Sequence, residues 1–344
     1  MDQSLLDLSV VIVAHIRDQV GFEKLHRTLS SLAGDLPLVT VIDNASPEPW
    51  KTRVREVIEI RGGRYLHREV NNLGAARDQA LRLSNSDLLA FVDADVELPR
   101  DWLKTLRNFL ADRQNEVCWG VASALSAPQN SSFDRAMALA MSTPLAHLGT
   151  SQAWQLRTER SVRHLATAAV LFRRRRVLEA GGFSDQFSRV GEDLELSYRL
   201  MRASGEKFRR LVLLPKPIVT HHQDQALGTW AKRVFRYGWS QSEVARAHPR
   251  HIFSRKLIPF LMGAVGLVSL GAAFAGYPIL LAILIVQYVT LVFGIVAGGA
   301  LVTGSLASAP LAVVIVMATH LAYISGMWAG ALGLCRNPRY SASR

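Results

Sequence analysis

The sequence predicts an α/β domain with a mainly parallel central sheet, followed by transmembrane helices. Three observations predict it. Apolar, β-branched runs at residues 10–14, 38–43 and 88–93 alternate with helical patterns, as in folds that place ligands at the carboxyl ends of parallel strands. The third run ends in Phe91-Val92-Asp93-Ala94-Asp95-Val96, two aspartates one residue apart where a strand should meet solvent. From residue 257 to 335 there is no Asp, Glu, Lys or Arg, although the chain carries 28 acidic and 40 basic residues. A membrane span needs only ~20 apolar residues, so this region exceeds what one crossing requires.

The first strand, residues 10–14, leads into a helix over 22–32 with Leu25, Leu29 and Leu32 at helical spacing. The second run closes on Asp43-Asn44-Ala45-Ser46-Pro47, an acceptor carboxylate followed by turn formers. Next comes Asn71-Asn72-Leu73-Gly74-Ala75-Ala76-Arg77, a glycine-containing loop at a helix start, where backbone amides and Arg77 suit an anion. In the third run, alternation of side chains along a strand lets Asp93 and Asp95 converge on one hard cation. Such a cation clamps a diphosphate. Pro99, Trp102, Leu106 and Leu110 then begin an amphipathic helix.

A strand is expected over 165–172, and the Arg173–Arg176 run after it as a solvated face. Gly181-Gly182-Phe183 precedes Gly191-Glu192-Asp193-Leu194, where acidic residues open a helix. Capping explains acids at such a position, and so does a general base beside glycines that let the backbone curl around a substrate. Cys118 and Cys335 are expected as unpaired thiols. No secretory signal is visible at the N-terminus, which predicts a large domain on the cytoplasmic side of the inner membrane. The excess of basic residues carries no nucleic-acid recognition motif and is read toward membrane lipids or a phosphorylated substrate.

These motifs, in this order, resemble the family-2 inverting glycosyltransferases of GT-A fold over almost all of residues 9–250. The resemblance rests on Ser9–Val13, Asp43-Asn44-Ala45-Ser46, Asn72–Arg77, Asp93-Ala94-Asp95, Gly181-Gly182-Phe183 and Glu192-Asp193. The stretch Arg233-Val234-Phe235-Arg236-Tyr237-Gly238-Trp239, with His248-Pro249, looks like the membrane-anchored branch that includes succinoglycan-type exopolysaccharide enzymes. His320, Tyr323, Gly326 and Gly330 also resemble that branch. The resemblance implies a nucleotide-diphosphate sugar donor bound by Val13, Asp43, Asn72, Arg77 and Asp93. It implies a divalent cation, Mn2+ or Mg2+, at Asp93 and Asp95, with His221 as a further ligand or a structural histidine. Asp193, beside Glu192, would deprotonate an acceptor hydroxyl, and inversion needs no covalent sugar intermediate. The chain departs from the family pattern at Val13 and Ile16, where Pro and Asn are usual, and at Asp78 and Ala80, where Asn and Gly are usual. The processive synthases' Gln-x-x-Arg-Trp signature is absent in strict form, so one sugar per encounter is expected.

Four regions follow: a catalytic domain at 1–225, a basic amphipathic interfacial region at 226–256, a membrane region at 257–335 and a basic tail at 336–344. In the second, Trp230, Arg233, Arg236, Tyr237 and Trp239 are expected at the headgroups, presenting a lipid-linked acceptor. Apolar segments 257–276, 279–302 and 310–334 each have spanning length, yet Arg250, Arg255 and Lys256 before them and Arg336 and Arg339 after them both point to the cytoplasm. Three crossings are the simple count but cannot satisfy both, so two to three spans are expected, and the sequence does not decide whether one segment is re-entrant or interfacial. Gly263, Gly266, Gly294, Gly298 and Gly299 are expected at close helix contacts. Two other readings stand beside a transferase acting on a lipid-linked saccharide: a polyprenyl-phosphate glycosyltransferase, and a catalytically idle scaffold subunit. Donor, acceptor and oligomeric state are not legible.

Overall fold

The computed structural model describes residues 7–32, 39–112, 116–147, 156–187, 190–205, 210–222, 226–249 and 257–334. Cys335, the tail, and the basic residues Arg250, Arg255 and Lys256 lie outside these. The chain divides into two compact units, one of residues 1–127 and 150–223 and the other of 128–149 and 224–344. Residues 128–149, expected within the catalytic domain, therefore group with the C-terminal helices.

The first unit is built on strands β1 (Leu8–Ala14), β2 (Val39–Asn44), β3 (Arg64–Arg68), β4 (Leu88–Asp93), β5 (Val96–Glu97), β6 (Gly120–Ser126), β7 (Arg160–Ser161), β8 (Ala169–Arg173) and β9 (Leu211–His221). They form one sheet in the order β3-β2-β1-β4-β8-β6-β9-β5, with β7 also on β9. β3, β2, β1 and β4 are mutually parallel, whereas β8 runs antiparallel to both β4 and β6, and β5 and β7 run antiparallel to β9. The sheet is mixed but mainly parallel: β6 and β9 pair in parallel and run in the direction of the β3-β2-β1-β4 block, so among the described strands β8, β5 and β7 are the ones opposed to it.

Strand alternation builds two cores. Val10, Ile12, Val41, Ala90 and Val92 point to a face covered by α1 (Gln19–Ser31), α2 (Trp50–Ile60) and α4 (Trp102–Ala111) through Leu25, Leu29, Val54, Ile58, Trp102 and Leu106. Val11, Val13, Ile42, Leu89 and Phe91 point to the other, under α3 (Leu73–Leu83), α7 (Arg174–Glu179) and α8 (Glu192–Ala203). Asp93, two residues beyond Phe91, is thereby directed to the α3 and α8 side. The arginine run is not simply solvated. Arg173 donates to the carbonyls of Cys118 and Leu110 at 2.8 and 2.6 Å, and Arg174 to that of Leu81 at 2.9 Å, tying β8 to its neighbours. Cys118 is buried, with Sγ donating to the Gly120 carbonyl at 3.2 Å.

The second unit contains α5 (Ser132–Ser142), α6 (Pro144–His147), α9 (Leu227–Ala247), α10 (Leu257–Phe274), α11 (Pro278–Thr303) and α12 (Ala309–Ala331). Ser131 opens α5 with a reciprocal capping box to Asp134. Three segments, α10, α11 and the one ending in α12, are long and apolar enough to cross a membrane. α9 and α12 touch backbone to backbone. A Cβ added to Gly238 would lie 2.0 Å from the Tyr323 carbonyl oxygen, and one on Gly326 2.0 Å from that of Phe235. Of the glycines expected at close contacts, Gly263 abuts Trp328 and Gly299 approaches Leu139, but Gly266, Gly294 and Gly298 would meet nothing within 4 Å. The seam uses glycines matched across two helices, which one helix's composition cannot reveal.

Trp230 is also corrected. Its side chain is buried on the α12 side, with Nε1 donating to Thr319 Oγ1 at 2.8 Å. Arg236 and Tyr237 are exposed, and Arg233 and Trp239 half-buried, so these four and not Trp230 face outward to differing degrees.

Candidate active site

The carboxyl edge of the parallel block carries the polar cluster. Val13 pairs in register with both Asp93 and Ile42, and Ala14 with Asp43, so β1, β2 and β4 end at one level. β4 stops at Asp93, and Ala94 and Asp95 form a turn before β5. β5 pairs with β9 so that Val96 opposes His221, and the His222 amide donates to the Asp95 carbonyl at 2.8 Å. The two aspartates converge because of this turn and pairing, not by strand alternation. His221 Nε2 lies 3.2 Å from Asp95 Oδ1, and Asp93, Asp95 and His221 each offer an atom within 4.8 Å of the others. Two carboxylates and an imidazole are a donor set that fits a divalent cation.

Arg77 joins this group to α8. It is 2% exposed, and its guanidinium donates to Asp93 Oδ1 at 2.7 Å and to Glu192 Oε1. Burial alone would lower the Arg77 pKa, but Glu192 and Asp93 hold it above its ordinary value. Asp93 is raised, chiefly by burial and further by Asp95, against the pull of Arg77. Glu192 is pushed up to about 8 by burial, with Arg77 opposing and Asp193 adding. Its second oxygen, Oε2, is buried without a hydrogen-bond partner. Four carboxylates crowd one guanidinium, which raises the Glu192 and Asp93 carboxyls and gives the cluster an affinity for a further cation.

Asp193 stands differently. Burial would raise it, but His164, with Nε2 3.4 Å from Asp193 Oδ2, and then Arg77 bring its pKa below the ordinary carboxylate value. The Leu194 amide also donates to Oδ1 at 2.7 Å. It is therefore ionised and oriented, with one edge held by protein. Sequence reasoning missed His164, which sits in an irregular segment with no pattern to mark it.

Loops around the cluster are fixed by side chains. Asn72 caps α3, accepting from the Ala75 amide at 3.0 Å and donating to the Asp185 carbonyl at 2.8 Å. A Cβ on Gly74 would lie 2.0 Å from the Ser184 carbonyl oxygen, so the segment after Phe183 rests directly on the α3 backbone. The Asp78 carboxylate, where the family pattern has an amide, accepts from the Phe183 amide at 3.0 Å. Arg199 reaches the Gly182 carbonyl at 2.6 Å. The departure at Asp78 thus has a local use.

Asp43 lies on the opposite face of the sheet and is fully buried. Oδ1 accepts from the Ser46 amide at 2.9 Å, and Oδ2 lies 2.7 Å from the Tyr65 hydroxyl and 3.2 Å from His67 Nδ1. These bonds shape the β2–α2 loop, where Ala45 has φ 69°. Tyr65 and His67, also missed, alternate along β3 in register with Val41 and Asp43.

A mixed sheet with a parallel β3-β2-β1-β4 block and an aspartate pair at its carboxyl edge defines a GT-A-type domain. The family model for glycosyl transferase family 2 matches residues 9–174. It is 28% identical over 240 residues to a pre-mycofactocin glycosyltransferase of Mycobacterium tuberculosis, across 70% of this chain and 48% of the relative, and so spans about half that protein's length. Among solved structures it is similar to a mannosyltransferase from Pyrobaculum calidifontis in complex with GDP-Man and Mn2+, at TM-score 0.58 and 14% identity over 96% of this chain and 88% of that one. It is also similar to GalNAc-T7 with UDP, GalNAc and Mn2+, at TM-score 0.49 and 17% identity over 73% and 52% of the two chains.

Proposed function

We propose that the chain is a membrane-anchored, metal-dependent inverting glycosyltransferase that moves one sugar from a nucleotide-diphosphate sugar to a lipid-linked saccharide at the cytoplasmic face. The convergence of Asp93, Asp95 and His221 beside Arg77 and an ionised Asp193 carries this reading. A bound divalent cation would neutralise the departing diphosphate. The imidazole favours Mn2+ over Mg2+, which prefers all-oxygen sites. A protein of the same fold holds GDP-Man and Mn2+, which supports the donor class.

Asp193 takes the proton of the acceptor hydroxyl as its oxygen attacks the anomeric carbon. The bond from that carbon to the diphosphate oxygen breaks, and its electron pair leaves with the nucleotide. His164 orients Asp193, and Arg77 fixes Asp93 and Glu192. Val13, Asn72 and Asp43 shape the donor-side loops, Asp43 through Ser46, Tyr65 and His67. Residues 1–225 supply catalysis, joined to the membrane through 226–256 and 257–335, and Arg233, Arg236, Tyr237 and Trp239 receive the lipid-linked acceptor. The retained base favours a hydroxyl acceptor over a lipid phosphate, which is already ionised and needs none.

The test is nucleotide release by the detergent-purified full chain from UDP-, GDP- and dTDP-sugars, with Mn2+ or Mg2+ and a bacterial lipid extract. Release of one nucleotide should require metal and lipid, and Asp193→Asn should slow it by roughly 10²–10⁴-fold. Equal release by wild type, Asp193→Asn and Asp95→Ala would overturn the proposal.

A further inference from the structure

α9 lies along the C-terminal half of α12 as a parallel neighbour. Trp230 meets Thr319, Gly238 meets Tyr323, Phe235 and Trp239 meet Gly326 and Gly330, and Arg246 Nη2 donates to the Gly330 carbonyl at 2.6 Å. Ser242 Oγ donates to the Met327 carbonyl at 2.8 Å in the same seam. The backbones touch at Gly238 and Gly326, so the two helices share one depth whatever surrounds them.

α9 also carries Lys232, Arg233, Arg236, Glu243 and Arg246, with Lys232, Arg236 and Arg246 exposed. Charges of this kind are strongly disfavoured at the middle of a span, so α9 belongs at a headgroup surface. Residues 319–330 of α12 are held there with it.

The other two apolar helices are placed differently. α10 and α11 are joined by a turn at Ala275–Tyr277, and over the half of the hairpin nearest that turn their large side chains are exposed, Phe274 at 85% and Tyr277 at 66%. Their buried residues, Pro259 in α10 and Val292, Val296 and Ala300 in α11, cluster at the open end. There Phe260 stacks on Trp328 with ring centroids 4.3 Å apart, and Gly299 approaches Leu139 and Thr143 of the α5 segment. His320 ties this layer together, 2.8 Å from both the Tyr288 hydroxyl and the Leu145 carbonyl.

We infer that only the α10–α11 hairpin crosses the membrane, and that α12 lies with α9 and α5 in the cytoplasmic interface, seated on lipid headgroups. Two crossings return the chain to its starting side. The basic residues Arg250, Arg255 and Lys256 before the hairpin and Arg336 and Arg339 after α12 then share the cytoplasmic face, which three crossings forbid.

The test labels single cysteines with a membrane-impermeant maleimide in inverted and right-side-out vesicles, using the full chain with Cys118→Ser and Cys335→Ser. Glu69→Cys marks the side of the soluble unit, Tyr277→Cys the hairpin turn and Ser343→Cys the tail. Ser343→Cys should react from the same side as Glu69→Cys, and Tyr277→Cys from the other. Reaction of Ser343→Cys from the side of Tyr277→Cys, opposite Glu69→Cys, means an odd number of crossings and overturns the inference; reaction of all three from one side means that α10 does not cross and overturns it equally. A protease-cleavable tag appended to the unsubstituted chain gives the tail's side without any cysteine change.

Discussion

Arg77→Met removes a charge while keeping most of the buried stem. The guanidinium, 2% exposed, is bound to Asp93 at 2.7 Å and to Glu192, whose other oxygen has no hydrogen-bond partner. Removing one member of a buried ion pair costs about 3–5 kcal/mol, because the charge left behind is uncompensated. Glu192 can escape part of this. Its carboxyl, raised to about 8 by burial against the pull of Arg77, is largely protonated at neutral pH, so the charge stranded is chiefly that of Asp93, which sets the cost near the lower end, about 3 kcal/mol. Glu192→Gln keeps the Arg77–Asp93 pair and should cost about 1–2 kcal/mol. In the double variant the Arg77–Glu192 hydrogen bond is lost once rather than counted in both singles, so its loss should fall short of their sum by roughly 1–2 kcal/mol. Thermal unfolding of the detergent-purified protein reads this. At roughly 2–4 °C per kcal/mol for a unit of this size, Arg77→Met should lower Tm by about 6–12 °C. A fall below ~2 °C, or strict additivity in the double variant, would refute the account of Arg77 as the charge that holds Asp93 and Glu192 together.

The pH dependence follows from the same carboxyl. Glu192 moves from an ordinary 4.5 to about 8 in the folded chain, so its contribution is fully present below pH 4.5 and is lost as pH rises through about 8. Tm of the wild type should decline across that window, and Glu192→Gln should flatten the decline; an unchanged slope in the variant contradicts the assignment. In the second unit, Gly326→Ala places a methyl 2.0 Å from the Phe235 carbonyl oxygen and must part α9 from α12. It should destabilise by about 1–3 kcal/mol or more and shift tryptophan emission to the red as Trp230 loses its buried place, and emission identical to wild type would argue against the seam.

Strands β1, β2 and β4 and the aspartate pair were legible because apolar, β-branched runs ending in turn formers are local signals. The three residues expected as ligands converge, but for a partly different reason: Asp95 sits in a turn, and pairing of Val96 with His221 brings the imidazole to it. His164 is drawn to Asp193 by tertiary packing from a segment without periodicity, and nothing local marks it. Tyr65 and His67 were within reach, since both occupy alternate positions after Gly62-Gly63 and oppose Val41 and Asp43. The antiparallel β8 was expected over 165–172 and is found at Ala169–Arg173, whereas β5 and β7, of 2 residues each, leave no periodic trace.

The apolar region shows most sharply what composition does and does not encode. α10, α11 and the segment ending in α12 all pass a length and hydropathy test for spanning, yet 6%, 11% and 28% of them, in that order, is buried within the protein. Hydropathy records what a helix would tolerate around it, whereas its depth is set by what it touches. α12 touches α9, a helix whose cations cannot follow it into hydrocarbon, and it does so through Gly326 and Gly330 facing Phe235 and Trp239. The conflict between three spans and two cytoplasmic basic flanks was already present in the sequence as arithmetic. The contact between α9 and α12 determines which of the three yields.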